Sequence, residues 1–427
     1  MKKRPPKPAR IRHRTPGAPS PGPGGGAKGG GIPEGKRLRR PVRGHGSVFA
    51  ERALELHRDA IVVDGHADTI GRFLDDGEDL GTETGKGHLD LPRMIRGGLD
   101  AQFMSCWVEP KYVDRKESAV RAFRMIDAVK QWIARNPDRI VLARTATEVR
   151  RAAASGKVSG LACIEGGHAI EDDLGLLRTF AELGVRYMTL TWNHSLGWAE
   201  AARDPGKVRG LTGFGRQVVR EMNRLGMLVD LSHVSENTFY DAIAETDTPV
   251  ICSHSCARAL CDHVRNLRDD QLRALAKNGG VVGVNFYSGF LSQRFYDRKR
   301  TADEADEGER ARVRERFKND PDAQDAALKE IGRRYGEAEG AMSRPPLDLV
   351  VDHIEHIARI AGIDSVGLGS DFDGVTSLPE GVDDCSKLPN LTLRLLERGF
   401  SEGDVRKILG ENFLRVMERA IDRKIGG

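Results

Sequence analysis

Six side chains of metal-binding type stand where apolar runs stop. The run IVVDGHAD ends in His66 and Asp68, LACIEGGH carries Glu165, MLVDLSHV carries His233, VICSHS carries His254, and VGLGSDFD carries Asp371. Imidazole nitrogens and carboxylate oxygens suit Zn²⁺ and similar ions. His66 and Asp68 are two residues apart, which on a strand puts both on one face. Burying such groups at the end of a Val/Ile run is costly unless they are ligated or paired. Three histidines and two carboxylates exceed what one tetrahedral zinc uses, and a carboxylate shared by two ions accounts for the surplus. Such paired ions lie roughly 3.5–4 Å apart and hold a hydroxide between them. A sixth group, Asp371 or its neighbour Asp373, is then available to relay a proton from the bridging water to a leaving amine.

The other chemistry-bearing residues point nowhere as definite. His88 and His168 are candidates for outer positions around the centre. Ser253 and Ser255 flank His254, but no Gly-x-Ser-x-Gly elbow accompanies them, which argues against a serine hydrolase. Cys256 has no assigned base and reads as structural.

The elements that position these groups follow from periodicity. β-type runs are expected at 61–66, 98–107, 160–165, 185–191, 227–232, 249–254, 280–287 and 365–370. Between them lie amphipathic stretches such as ESAVRAFRMIDAVKQWIARN and TGFGRQVVREMNRLG. A serine in SENTF and Asp269 in RDDQL sit where helix N-caps are wanted. Gly184, Gly226 and the pair Gly279–Gly280 sit where helices must end. Eight runs with crossover helices predict a (β/α)₈ TIM-type barrel, with the binuclear metal site at the C-terminal face of the strands. One connection is long: about 55 charge-rich residues, near 291–345, follow the seventh run and must start on the catalytic face. They are expected to be helical, as a lid, a dimer contact or an exposed insertion.

Composition divides the chain. Its net charge of +4 hides a tail, residues 1–47, with 13 Lys/Arg against the single acid Glu34, so residues 48–427 carry −8. The tail also holds 9 Pro and 11 Gly and is expected to be disordered. Nucleic acid is not expected as a partner, the basic tail being its only argument. No run approaches eighteen apolar residues, no secretory signal is recognisable, and the six cysteines are scattered. The expectation is a cytoplasmic protein with free thiols, no membrane attachment and homodimerisation left open.

Taken together, the strings VDGHAD, HLDLPRM, IEGGHAI, VDLSHVS, SHSCARAL with RNLRDDQL, GVNFY, GLGSDFDGV and ILGENFLRVM resemble the renal or membrane dipeptidases, the M19 metallopeptidases of the amidohydrolase superfamily. They run in order from about residue 60 to 418. The resemblance implies that His66 and Asp68 bind one zinc, His233 and His254 a second, and Glu165 bridges both. It implies that Asp371 is the catalytic proton shuttle. It gives Arg265 the grip on the substrate's terminal carboxylate, with Arg258 as the competing reading. One departure stands out: better-known members carry a histidine directly after the Leu-Thr of the fourth run, where this chain has Trp192, followed by Asn193 and His194. His194 is the candidate to reach the same space as a substrate-binding group.

The resulting expectation is a dipeptidase with two Zn²⁺ per chain, hydrolysing dipeptides by a metal-bridging hydroxide. Two alternatives stand beside it. One keeps the metals but acts on a non-dipeptide amide or lactone; the other is a catalytically weak metal-binding protein recruited through its tail.

Overall fold

The computed structural model describes residues 48–425; the expectations for the 1–47 tail lie outside them. Among the described residues there are nine strands, all paired in parallel: β1 Val63–Ala67, β2 Ala101–Trp107, β3 Ile140–Leu142, β4 Val158–Glu165, β5 Val185–Thr189, β6 Leu228–Asp230, β7 Ile251–Ser255, β8 Val281–Val284 and β9 Val366–Leu368. Hydrogen bonding runs β2–β1–β9–β8–β7–β6–β5–β4, and β4 pairs back onto β2 from Ala101↔Ser159 to Trp107↔Glu165. That last pairing closes an eight-stranded (β/α)₈ barrel. Its strands are buried on both faces, which is why they read as near-continuous apolar runs in the sequence.

All eight anticipated runs are strands, with ends displaced by a few residues. The ninth, β3, pairs with the start of β4 through Ile140↔Val158 and was not anticipated; at three residues it is too short to show an alternation. Helices cross between strands as expected, including Ser118–Ala134 and Gly213–Leu225. Gly184, Gly226 and Gly279 end their helices in the left-handed region, at φ of 104°, 67° and 83°. Ser235 caps Glu236–Glu245 by accepting from the Thr238 amide. Asp269 is not a cap: it lies in the first turn of Asp269–Asn278, behind Arg268, and its carboxylate meets His356 Nε2 at 2.7 Å.

The floor of the barrel is packed by Phe103, Tyr187, Leu161, Leu228 and Ile251 together with Phe413, from the helix Asn412–Met417. Side-chain space here is so limited that a Cβ on Gly65 would meet the Phe413 ring at 2.6 Å. The long connection folds as two helices, Gln293–Arg316 and Pro321–Gly340, joined into a hairpin by Arg334–Glu309 at 2.6 Å and Gln324 Nε2 to the Arg314 carbonyl at 3.2 Å.

Candidate metal centre and its cavity

The candidate residues come from different strands but share one end of the barrel. His66 lies in β1 with Asp68 just beyond it, Glu165 ends β4, His254 lies in β7, and His233 and Asp371 follow β6 and β9. Register shifts interrupt β1 between Asp64 and Ala67, and β7 between Cys252 and Ser255. Each shift brackets one histidine. Val63 already faces the floor cluster, so regular alternation would aim His66 away from the centre; the irregularity turns it inward.

Glu165 is the hub. Its Oε2 lies 3.5 Å from His66 Nε2, and its Oε1 lies 2.8 Å from His233 Nε2 and 3.5 Å from His254 Nε2. The two latter nitrogens are 2.9 Å apart. Two donor triads have all their atoms within 4.8 Å: His66, Glu165 and His254, and His66, Asp68 and Asp371. The first triad takes one histidine from each of the pairs that the resemblance implies, joined by Glu165.

Each imidazole is held from behind through Nδ1. His66 Nδ1 is 2.7 Å from the Tyr187 hydroxyl, which itself donates to the Gly65 carbonyl at 3.0 Å. His254 Nδ1 is 2.8 Å from Ser253 Oγ, which donates to Asp230 at 2.6 Å. His233 Nδ1 is 3.2 Å from Asn193 Oδ1, a pure acceptor. In every case the partner must accept, so Nδ1 carries the proton and the Nε2 lone pair is aimed at the centre. This is the arrangement that metal-binding histidines use. Ser253 is thereby a strut between Asp230 and His254 rather than a nucleophile.

The charge pattern calls for cations. Burial, with Asp68 nearby, pushes the Glu165 carboxyl up to about 7, and burial with the Asp68 charge also raises Asp371. Burial drives His233 and His254 well below the usual imidazole range. Burial also opposes charging of His66, but the carboxylates of Glu165 and Asp68 outweigh it and raise this group. His66 Nε2 and Asp68 Oδ1 are buried with no hydrogen-bond partner. Orphaned donor atoms beside converging carboxylates are costly unless an ion joins them, so the residues present fit a metal centre.

Asp371 and Asp373, indistinguishable by sequence, are separated by the structure. Asp371 takes a left-handed backbone (φ 62°), accepts from Asn285 Nδ2 at 2.9 Å and faces the cavity beside the donors. Asp373 is tied up by Thr69 Oγ1 at 2.6 Å, the His88 amide at 2.6 Å and Arg72 at 3.1 Å, a loop-holding role that also occupies His88. His168 Nε2 is bound to the Val108 carbonyl at 2.9 Å, away from the donors. The Cys256 thiol is buried against the Asn285 carbonyl, and burial raises its pKa far above that of a reactive thiol.

Arg265 is buried in the cavity wall. Its Nε donates to the Ser232 carbonyl at 2.7 Å and an Nη to His254 O at 3.3 Å, and its guanidinium lies 5.3 Å from the Phe290 ring centroid. Burial lowers it to about 10, and no carboxylate pairs with it among the described residues. Arg258 is instead committed at the surface to Asp262 and Glu236. His194 does not reach the centre: it is exposed, absent from the cavity lining, and lies beside Trp192 with ring centroids 5.5 Å apart. The strand β5 stops at Thr189, so strand alternation does not govern these residues, and Trp192 and Asn193 face the cavity. Neither Asn193 nor Tyr187 was anticipated. Their roles depend on partners distant in the chain, which leave no mark in the local sequence.

The donors open into a cavity of about 790 Å³. Its outer wall is one face of the hairpin's first helix, presenting Tyr296, Lys299, Arg300, Asp303, Glu304 and Glu307, with Glu339 from the second. The long insertion therefore borders the cavity rather than projecting away from it.

A family model described as membrane dipeptidase (peptidase family M19) matches residues 50–424. Among solved structures, the probable dipeptidase PvdM from Pseudomonas aeruginosa is 25% identical with a TM-score of 0.76, over 88% of this chain and 99% of that one. The M19 metallopeptidase called dipeptidase AC is 30% identical with a TM-score of 0.69, over 84% and 98%. A metallopeptidase from Rhodobacter sphaeroides, liganded with a phosphinate mimic of the dipeptide L-Ala-D-Ala, is also 30% identical with a TM-score of 0.69, over 85% and 100%. The chain belongs to the membrane dipeptidase family, peptidase family M19, and is a metal-dependent hydrolase of dipeptides.

Proposed function

We propose that this chain is a binuclear zinc dipeptidase, with His66 and Asp68 holding one ion, His233 and His254 the other, and Glu165 shared between them. The observation that carries this reading is the set of three imidazoles, each anchored through Nδ1, whose Nε2 atoms converge on the two oxygens of Glu165. A split carboxylate with one histidine on one oxygen and two on the other suits a shared ligand better than a single closed site. When bound, the ions supply an acidified water as nucleophile and Lewis acidity toward the scissile carbonyl.

The chain's own residues do the rest. Asp371, held by Asn285, stands beside His66 and Asp68 and takes the proton released as the peptide bond is attacked, then returns it to the departing amine. Arg265, with guanidinium protons unused by the backbone, pairs with the dipeptide's terminal carboxylate and fixes the distance from that end to the reacting carbonyl. Trp107 and Trp192, their ring centroids 5.1 Å apart, form part of the wall and exclude water. No helix among the described residues is long and apolar enough to cross a membrane, and all six cysteines are free and buried, which accords with a reducing cytoplasm.

Trp192 favours a second reading, hydrolysis of an N-acyl amino acid or another amide, because it stands where a histidine is expected. One experiment separates the two. Zinc-loaded enzyme is assayed on L,L and L,D dipeptides, N-acetylated amino acids and tripeptides. Dipeptide turnover that chelation abolishes, with little on the blocked compounds, supports the dipeptidase; turnover of acetylated substrates alone overturns it.

A further inference from the structure

A second arginine, Arg203, shares the cavity wall with Arg265. It sits on the segment between β5 and the helix Gly213–Leu225, and that segment is fixed to the site. The amide of its predecessor, Ala202, donates to the His233 carbonyl at 2.9 Å, and Ala201 bridges to Val234. The next residue, Asp204, is committed elsewhere, accepting from the Ser195 amide at 2.9 Å and pairing with Lys207 at 3.1 Å. Arg203 itself has no hydrogen bond or ion pair with any described residue, unlike Arg72, Arg121 and Lys299 in the same cavity, which are all neutralised by carboxylates. The cavity that both guanidiniums line also holds His233 and His263.

Arg203 is solvent-exposed and Arg265 buried, yet both line the one cavity, and a ligand that carries two negative charges can meet both guanidiniums. One carboxylate on Arg265 accounts for the terminus of any dipeptide. It leaves Arg203, on the same cavity lining and without a carboxylate partner among the described residues, to meet a second carboxylate, such as one on the side chain of the C-terminal residue. We propose that Arg203 is a specificity-determining residue that selects dipeptides whose C-terminal residue is acidic, aspartate or glutamate. This inference rests on the dipeptidase reading of the same site and names its substrate class. A bidentate arginine–carboxylate pair gives the contact both energy and direction, which a lysine would not reproduce.

The test is kcat/KM of the zinc-loaded enzyme on matched pairs, Ala-Asp against Ala-Asn and Ala-Glu against Ala-Gln, with the C-terminal residue in both L and D forms. The wild type should favour the acid over its amide by about tenfold or more, the scale of one charge-assisted hydrogen bond. In Arg203→Ala the acid-to-amide ratio should collapse toward one, and in Arg203→Glu it should fall below one. A wild type that treats acid and amide alike, or a ratio that survives Arg203→Ala, overturns the inference while the turnover itself upholds the dipeptidase. Absence of turnover on every dipeptide overturns both.

Discussion

At the scale of single residues, the donors were legible because each is a polar side chain ending an apolar run, where burial without a ligand is costly. Their supports were not. Tyr187 and Asn193 act from other elements, and nothing in their own neighbourhoods marks them as partners of His66 and His233; Ser253 adjoins His254 in the chain, but its tie to Asp230 crosses from β7 to β6. The same blindness misplaced His194, whose side chain turns outward because β5 has ended four residues after Val185 begins it, at Thr189. Two predictions belong here. Tyr187→Phe keeps the ring against Phe103, at 5.2 Å between centroids, but removes the acceptor behind His66. Zinc affinity should fall roughly 10–100-fold with the fold intact, measured by competition with a chelator and by thermal melting. Asp371→Asn keeps the shape and the Asn285 neighbour but cannot take a proton. It should retain its metal and lose about 10²–10⁴ in kcat, and near-normal turnover would move the proton relay elsewhere.

At the scale of elements, the strand and helix order was readable from periodicity, and the left-handed glycines marked three helix ends correctly. The three-residue β3 was too short to register. The charged connection showed helical spacing in sequence, yet its partner could not be read, because charge alone does not say which face is solvated. The structure gives the answer in a buried knot. Glu339, 5% exposed, accepts from the Tyr287 hydroxyl at 2.6 Å and pairs with Lys299 at 3.4 Å, and Lys299 also pairs with Asp303. These contacts tie both helices of the hairpin to the loop after β8. Lys299→Ala should leave Glu339 short of a partner and weaken hairpin closure by about 1–3 kcal/mol. The readouts are faster proteolysis at the 317–320 connection and a raised KM. Unchanged cleavage and KM would show that the hairpin is held by other contacts.

At the scale of the whole molecule, eight β runs with crossovers implied closure, and the return pairing of β4 onto β2 provides it. Closure is what gathers residues spread from His66 to Asp371 onto a single rim, so that Glu165 can touch partners on β1, on β7 and just after β6. The register shifts in β1 and β7 were invisible beforehand, since a bulge is set by pairing across a sheet and not by one strand's pattern. The proposed centre on this rim is a pair of ions that share Glu165. Metal content per chain, measured after zinc reconstitution for the wild type and for Glu165→Ala alongside dipeptide turnover, tests it most directly. The wild type should hold about two equivalents, with both sites weakened together and activity lost in the variant. A wild type fully active with one tightly bound ion, or a variant that gives up one ion while holding the other at full affinity, would contradict it.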